Sequence, residues 1–275
     1  MLTNKKTVWL SGPYLIWIAG FIVIPILTIV HYAFTNVQKK FTFENILNAV
    51  TDVANLKALG LTLLLATLAT AICLLLAYPL ALCLTKLKLK RKNLIIYLFI
   101  LPIFMNFMLQ MVAINVIIED NGIINSVLSA VGLPRLHIAN TFWAILIGMT
   151  YDYFPFMLFP IFNTVSRIDS DYINASKDLG ANGLKTFTKV MLPLSLPGIV
   201  SGITMVFVPA ISDFAIAEML GGGKIMLIGN IVEMSFTKGH YYQGSGLALL
   251  LMIFVLISSL IPTEDSNAAG GGIII

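Results

Sequence analysis

The sequence predicts an all-α membrane protein with six transmembrane helices and both termini on the cytoplasmic side. Hydrophobic residues make up 58% of the 275 residues, charged residues only 11%, and the mean hydropathy is +0.93. A soluble domain has no use for that much apolar surface. Six apolar stretches are long enough, at about 20 residues each, to cross a hydrocarbon core of about 30 Å as helices. These predicted spans lie near 13–34, 57–84, 94–118, 141–166, 194–218 and 245–262.

The basic residues predict the orientation, because short cytoplasmic loops are enriched in Lys and Arg. With the N-terminus inside, eleven of the 17 basic residues fall in cytoplasmic segments. The cluster at 86–92 contributes most of this asymmetry and so sets the predicted topology. Lys5 and Lys6 before an apolar run also resemble a signal peptide, but no small-residue cleavage site follows, which favours an uncleaved first helix. Residues 263–275 form an atypical tail without Lys or Arg, to which no function is assigned.

The cysteines and histidines indicate neither a disulfide nor a metal site. Cys73 and Cys83 both fall inside the second predicted span, where packing is the simpler interpretation. His31, His137 and His240 are too scattered to indicate metal ligands. The pI of about 9.0 follows from the membrane topology, and no basic stripe with interleaved aromatic residues predicts nucleic-acid binding.

A polar segment rich in small residues, 167–193, separates the fourth and fifth predicted spans. Asp169 or Ser170 is expected to cap a short helix, because their side-chain oxygens accept from free backbone N–H groups. Gly180 is expected to end this helix, since glycine tolerates the left-handed conformation. The small residues at 175–176 keep the helix slim enough to enter a groove on a soluble partner.

This segment resembles the EAA loop of ABC-importer permeases. The family pattern is Glu-Ala-Ala, three residues, Gly, nine residues, Ile, one residue, and Leu-Pro. Here Asn174 replaces the Glu, which weakens a polar contact expected with the ATPase. Ser176 replaces the second Ala, and Val190 replaces the Ile. An ordinary amphipathic connector is the alternative interpretation. The predicted ATPase-coupling residues are Asn174, Ala175, Ser176, Asp178, Gly180, Leu192 and Pro193.

Within that superfamily, most of the chain resembles the polyamine (spermidine/putrescine) permeases of the PotB type. Permeases for iron, thiamine or an oxyanion such as sulfate or phosphonate share the fold, so these cargoes remain alternatives, as does the choice between spermidine and putrescine. The segments that carry the resemblance are 41–45, 77–81, 101–106, 155–157, 220–222 and 227–230.

The resemblance implies a type I ABC importer permease fold in the inner (plasma) membrane of a bacterium, with transport by alternating access. It implies a second, similar permease, two ATPase subunits and a periplasmic or extracellular substrate-binding protein as partners. ATP and Mg would bind to the ATPase, because this chain has no Gly-x-x-x-x-Gly-Lys-Ser/Thr loop and is expected to hold no cofactor itself. An intramembrane enzyme is the alternative of another class, but the sequence has no recognisable catalytic motif. A purely structural subunit is a further alternative that the EAA-like spacing disfavours.

Two carboxylates inside predicted spans are candidates for the substrate pathway. Asp152 lies about 15 Å into the fourth span, and Asp213 lies in the outer part of the fifth, close to Glu218. A carboxylate in the membrane costs about 2.5–3.5 kcal/mol, which indicates function unless it is paired. Carboxylates and aromatic faces bind ammonium groups, so Tyr151 and Phe156 complete the predicted set. Alternatively, Asp152 is a structural hydrogen-bond acceptor between helices.

Overall fold

The structure, a computed structural model, describes residues 12–86 and 98–259. Within them, six helical segments are long and apolar enough to cross a membrane, which confirms the predicted number of spans. The predicted basic residues at 88–92, Lys5 and Lys6, and the tail 263–275 lie outside the described residues. The six segments are Gly12–Ala33, Val53–Thr85, Phe107–Ala130, Phe142–Ser166, Gly183–Ser212 and Tyr241–Ser258.

The helices are named here in chain order. They are α1 (Gly12–Ala33), α2 (Glu44–Thr51), α3 (Val53–Lys86), α4 (Phe107–Ile118), α5 (Ile123–Ala130), α6 (Phe142–Ser166), α7 (Ser170–Asp178), α8 (Gly183–Ser212), α9 (Ala215–Leu220), α10 (Ile228–Thr237) and α11 (Tyr241–Ser259).

Two of these helices contain a five-residue π-helical segment. The segments are Ala19–Val23 in α1 and Phe187–Met191 in α8, and each comes directly before a turn that contains a proline, Pro25 or Pro193. Proline has no N–H to donate, and its ring crowds the carbonyl four residues earlier. A local widening of the helix to hydrogen bonds between residues five apart accommodates this conflict.

The third and fifth membrane spans, which contain α4 and α8, differ most from the predicted ones. In place of one helix over 94–118, a turn of 3-10 helix at Leu101–Phe104 precedes α4, and the Asn106 side chain caps α4 by accepting from the Leu109 N–H at 3.2 Å. Residues 94–97 of that span lie outside the described part. α8 begins at Gly183 and ends at Ser212 rather than running over 194–218, because the coupling loop continues directly into the helix.

The described residues form two compact units. One consists of residues up to Ala58 together with Ile231–Leu256. In it, the buried amide of Asn45 on α2 donates to three carbonyls at the end of α1, of which the Thr35 oxygen is nearest, at 2.8 Å. These bonds satisfy backbone acceptors that the end of α1 leaves free.

The other unit consists of Leu59–Asn230 together with residues from Ile257 onward. Its centre is the contact between α6 and α8, where the backbones approach closely at two glycines of α8. A Cβ on Gly198 would lie 2.5 Å from Thr164 Oγ1, and a Cβ on Gly202 would lie 2.7 Å from the Met157 sulfur. Small residues four apart allow this close packing between membrane helices.

The two cysteines have different environments. Cys73 is buried on α3, and its thiol donates to the Thr150 carbonyl at 3.5 Å, which agrees with the predicted packing role. Cys83 is exposed, so the same interpretation is wrong for that residue. Both thiols are free.

Candidate functional site

The coupling loop contains the short helix α7, with both ends closed by local hydrogen bonds. The Asp169 carboxylate accepts from the Asp171 N–H at 3.1 Å, which confirms a cap at this position. Gly180 has φ of +77°, and its N–H donates to the Lys177 carbonyl at 2.8 Å. The Ala181 N–H donates to the Ser176 carbonyl at 3.0 Å. This pair of bonds is a Schellman motif, which needs a left-handed residue at the position of Gly180.

The predicted coupling residues of α7 do not all face the same way. Asn174, Ala175 and Asp178 are exposed, as is Gly180. Ser176 is instead buried, and its hydroxyl lies 2.8 Å from that of Thr186. The expectation that Ser176 belongs to the slim, partner-facing surface therefore does not match its position.

Large apolar side chains stand beside the exposed coupling residues. Leu179 is 88% exposed, Leu184 71% and Tyr172 60%. Tyr172 lies on α7, a helix of mostly polar sequence, Leu179 on the turn after it, and Leu184 in the first turn of α8. An apolar patch beside polar side chains is typical of a surface that binds another protein.

The last two predicted coupling residues, Leu192 and Pro193, stand where α8 returns to α-helical geometry. The Leu192 N–H donates to the Phe187 carbonyl, five residues earlier, and Pro193 follows in the first turn of the α-helical part. π segments are rare and are frequent at functional sites. The Leu-Pro pair of the motif therefore sits at an irregularity of the helix and not in a free loop.

A partly buried hydrogen bond joins α6 to the end of α8. The Tyr153 hydroxyl donates to Asp213 Oδ2 at 2.7 Å, and Asp213 Oδ1 accepts from the Ile216 N–H at 3.0 Å. Tyr153 lies 11 residues from Phe142 and 13 from Ser166, the ends of α6, or about 16 and 20 Å. This carboxylate therefore lies beside the middle of a candidate membrane span.

The helical backbone is broken at the same place. α8 ends at Ser212, Asp213 is extended, and the short helix α9 follows. The chain then returns, so that a Cβ on Gly229 would lie 2.9 Å from the Asp213 carbonyl oxygen. The Asn230 amide donates to the Phe214 carbonyl at 2.8 Å. Broken helices at membrane depth occur where the backbone lines a cavity or is satisfied by protein groups.

The remaining predicted pathway residues are divided between faces of α6. Asp152 is half-buried and directly precedes Tyr153, the residue that bonds the Asp213 carboxylate. Phe156 lies one turn from Asp152 and is also half-buried. Tyr151 instead lines an apolar cavity of about 860 Å³ with residues such as Trp143. The structure therefore bonds Asp213 to the residue after Asp152, places Asp152 and Phe156 one turn apart on α6, and assigns Tyr151 to the apolar cavity.

Glu218 lies apart from this cluster. It is exposed on α9, one turn and a half after Asp213. α9 packs along α6, since a Cβ on Gly148 would lie 2.3 Å from the Leu220 side chain. Glu218 therefore belongs to the segment that follows the half-buried Asp213.

The predicted pathway set left out two residues of the site, Tyr153 and Asn230. Tyr153 stands next to Asp152, but its neighbour in space, Asp213, is 60 residues away. Asn230 ends the segment 227–230, which was singled out for its resemblance to polyamine permeases. Its amide oxygen accepts from the Leu227 N–H at 3.1 Å, which shapes the turn that brings Gly229 to the break in the helix.

Comparison with known proteins identifies similar chains over nearly the whole length. The family of the binding-protein-dependent transport system inner membrane component matches residues 8–262. The spermidine/putrescine transport system permease protein PotB of Haemophilus influenzae is 32% identical over 253 residues, 89% of this chain and 88% of that protein. PotB of Escherichia coli is 32% identical over 228 residues, 80% and 82% of the two chains.

Solved structures show the same fold. A chain of a bacterial ABC transporter that imports the acidic polysaccharide alginate superposes with a TM-score of 0.73 at 17% identity, covering 93% of this chain and 94% of the other. A chain of the MetNI methionine ABC transporter, in an inward-facing conformation, gives a TM-score of 0.52 at 19% identity over 74% and 90% of the two chains. The fold is therefore that of a type I ABC importer permease.

Proposed function

We propose that this chain is a permease subunit of an ATP-driven polyamine importer. The chain belongs to the family of binding-protein-dependent transport system inner membrane components. The proposed cargo rests on the 32% identity to two spermidine/putrescine permeases, which extends over 89% and 80% of the chain. The chemistry of α6 agrees with a cation, because this span contains Asp152 and no Lys or Arg.

The energy for transport comes from partner subunits in this proposal. Two ATPase subunits bind ATP and Mg, and a second, similar permease completes the membrane part. A periplasmic or extracellular binding protein delivers the polyamine. The exposed face of α7, with Leu179 and Tyr172, faces the cytoplasm and docks on an ATPase subunit. ATP-driven closure moves α7 and reorients the membrane helices between outward-facing and inward-facing states.

The polyamine passes the half-buried carboxylates of Asp152 and Asp213. An ammonium group is attracted by the two carboxylates, and the ring of Phe156, one turn from Asp152 on α6, offers a cation–π contact. Tyr153 orients the Asp213 carboxylate through its hydroxyl. Glu218, exposed on α9, attracts cations toward the part of the pathway that contains Asp213. Tyr151 is assigned to the apolar cavity and contributes less in this scheme.

Uptake of radiolabelled spermidine tests the proposed cargo. Cells lacking this chain, and having no second polyamine system, are compared with the same cells after the gene is restored. We expect uptake only in the restored cells, with competition by putrescine and none by thiamine or ferric iron. Equal spermidine uptake with and without the gene would reject a polyamine as the cargo. Gene-dependent uptake of radiolabelled thiamine or ferric iron would then identify the replacement.

A further inference from the structure

Two buried hydroxyl pairs stand on either side of the π segment of α8. Before it, the Ser176 and Thr186 hydroxyls lie 2.8 Å apart and join α7 to the start of α8. After it, the Tyr78 and Ser195 hydroxyls lie 2.8 Å apart and join α3 to α8. All four side chains are at most 9% exposed.

The direction of these hydrogen bonds follows from the other bond of each serine. Ser176 donates to the Ile173 carbonyl at 3.1 Å, and Ser195 donates to the Leu192 carbonyl at 2.9 Å. A hydroxyl has one hydrogen and two lone pairs. Each serine oxygen therefore accepts from its partner, so Thr186 and Tyr78 are the donors of the two bonds between helices.

The segment between the pairs is the irregular part of α8. Over Phe187–Met191 the hydrogen bonds join residues five apart, and Pro193 in the next turn has no N–H. The Phe187 ring also meets the Tyr78 ring edge-on, with centroids 5.7 Å apart. A helix with an interrupted hydrogen-bond ladder bends more readily at that point than a regular helix. The start of α8 thus has two anchors with a bend between them.

We propose that Ser176 and Thr186, with Tyr78 and Ser195, are positioning residues that couple α7 to the membrane part of α8. A displacement of α7 passes through the first pair to the start of α8. The second pair holds the far side of the π segment on α3, so the displacement becomes a bend at Phe187–Met191. This inference rests on the proposed docking of α7 on an ATPase. It also explains why Ser176 stands where the family pattern has Ala, since alanine cannot accept from Thr186.

The test is the number of polyamine molecules transported per ATP hydrolysed by the complete complex in proteoliposomes. For Thr186→Val and for Tyr78→Phe we expect this ratio to fall about two- to tenfold, the range that loss of one hydrogen bond gives. Thr186→Ser, which keeps the hydroxyl, is expected to retain the ratio. The double variant of Ser176→Ala and Thr186→Val should be no worse than Thr186→Val alone. Thr188→Val is the matched control, because this exposed hydroxyl bonds only the Leu184 carbonyl of its own helix.

A second measurement does not depend on the cargo. In a Cys83→Ser background, a fluorescent probe on Lys177→Cys reports α7, and one on Leu196→Cys reports α8 beyond the π segment. In the otherwise unaltered complex, ATP is expected to change both signals. In Thr186→Val the signal from position 177 should remain and the signal from position 196 should fall at least twofold.

The outcomes separate this inference from the proposed function. An unaltered complex that responds to ATP at both probes but transports no spermidine would reject the cargo and leave the positioning role standing. An unchanged number of polyamine molecules transported per ATP in Thr186→Val and Tyr78→Phe would overturn the positioning role, even if both rates fall. So would equal ATP responses at position 196 in Thr186→Val and Thr188→Val.

Discussion

Asp213→Asn is expected to lower polyamine uptake at least about tenfold while the complex still assembles. The asparagine keeps the shape of the side chain: its oxygen can accept from the Ile216 N–H, and its amide can donate to the Tyr153 oxygen. Only the negative charge is lost. A hydrogen bond to a charged group contributes about 1.5–3 kcal/mol, which corresponds to a tenfold change or more. The measurement is initial uptake rate, with the amount of assembled complex determined in the same membranes.

Neighbouring variants show whether the charge or the structure is responsible. Tyr153→Phe removes the hydroxyl and keeps the carboxylate, so a smaller loss of uptake is expected. Glu218→Gln, on the exposed face of α9, is expected to change uptake less than Asp213→Asn. The charge-reversing variants Asp152→Lys and Asp213→Lys should be the most impaired. Full uptake by both of them would remove these carboxylates from the pathway.

Gly180→Leu is expected to separate ATP hydrolysis from transport. Gly180 has φ of +77°, and a side chain in the left-handed conformation costs about 1–2 kcal/mol. Nothing lies within 4 Å of an added Cβ, so the cost comes from the backbone and not from a clash. Loss of the Schellman motif displaces the end of α7, including the exposed Leu179. We therefore expect the complex to hydrolyse ATP with transport reduced at least about fivefold, the lower end of typical coupling energies.

Two further variants test the backbone explanation. Gly183→Leu is the matched control, because Gly183 also has open space around its Cβ position but has no positive φ. Gly180→Asn should be intermediate, since asparagine tolerates the left-handed conformation better than leucine does. A Gly180→Leu complex with a normal number of molecules transported per ATP would contradict the docking role of this loop.

Features that depend on neighbouring residues were predictable from the sequence. The six apolar segments follow from composition, because a helix in lipid satisfies its own backbone hydrogen bonds. The cap at Asp169 and the left-handed end at Gly180 involve bonds to residues at most five positions away. The break before α4 was missed because the stretch around it is almost entirely apolar. The only local signals of the break are Pro102 in the 3-10 turn and the capping residue Asn106.

The site required information that the chain order does not contain. Asp213 and Tyr153 are 60 residues apart, Tyr78 and Ser195 117 residues apart, and only the packing of helices brings them within hydrogen-bond distance. The orientation of Ser176 likewise follows from the contact of α7 with Thr186 rather than from the EAA-like spacing.

By itself, the sequence determined that this protein is a six-span helical membrane protein with a capped polar helix between its fourth and fifth spans, because hydropathy and helix capping are properties of short segments. The tertiary structure decided where α8 breaks, which carboxylate lies beside the middle of α6, and which hydroxyl pairs join α3, α7 and α8. These features involve residues far apart in the chain, and a side chain's partner across a helix interface is set by packing in three dimensions.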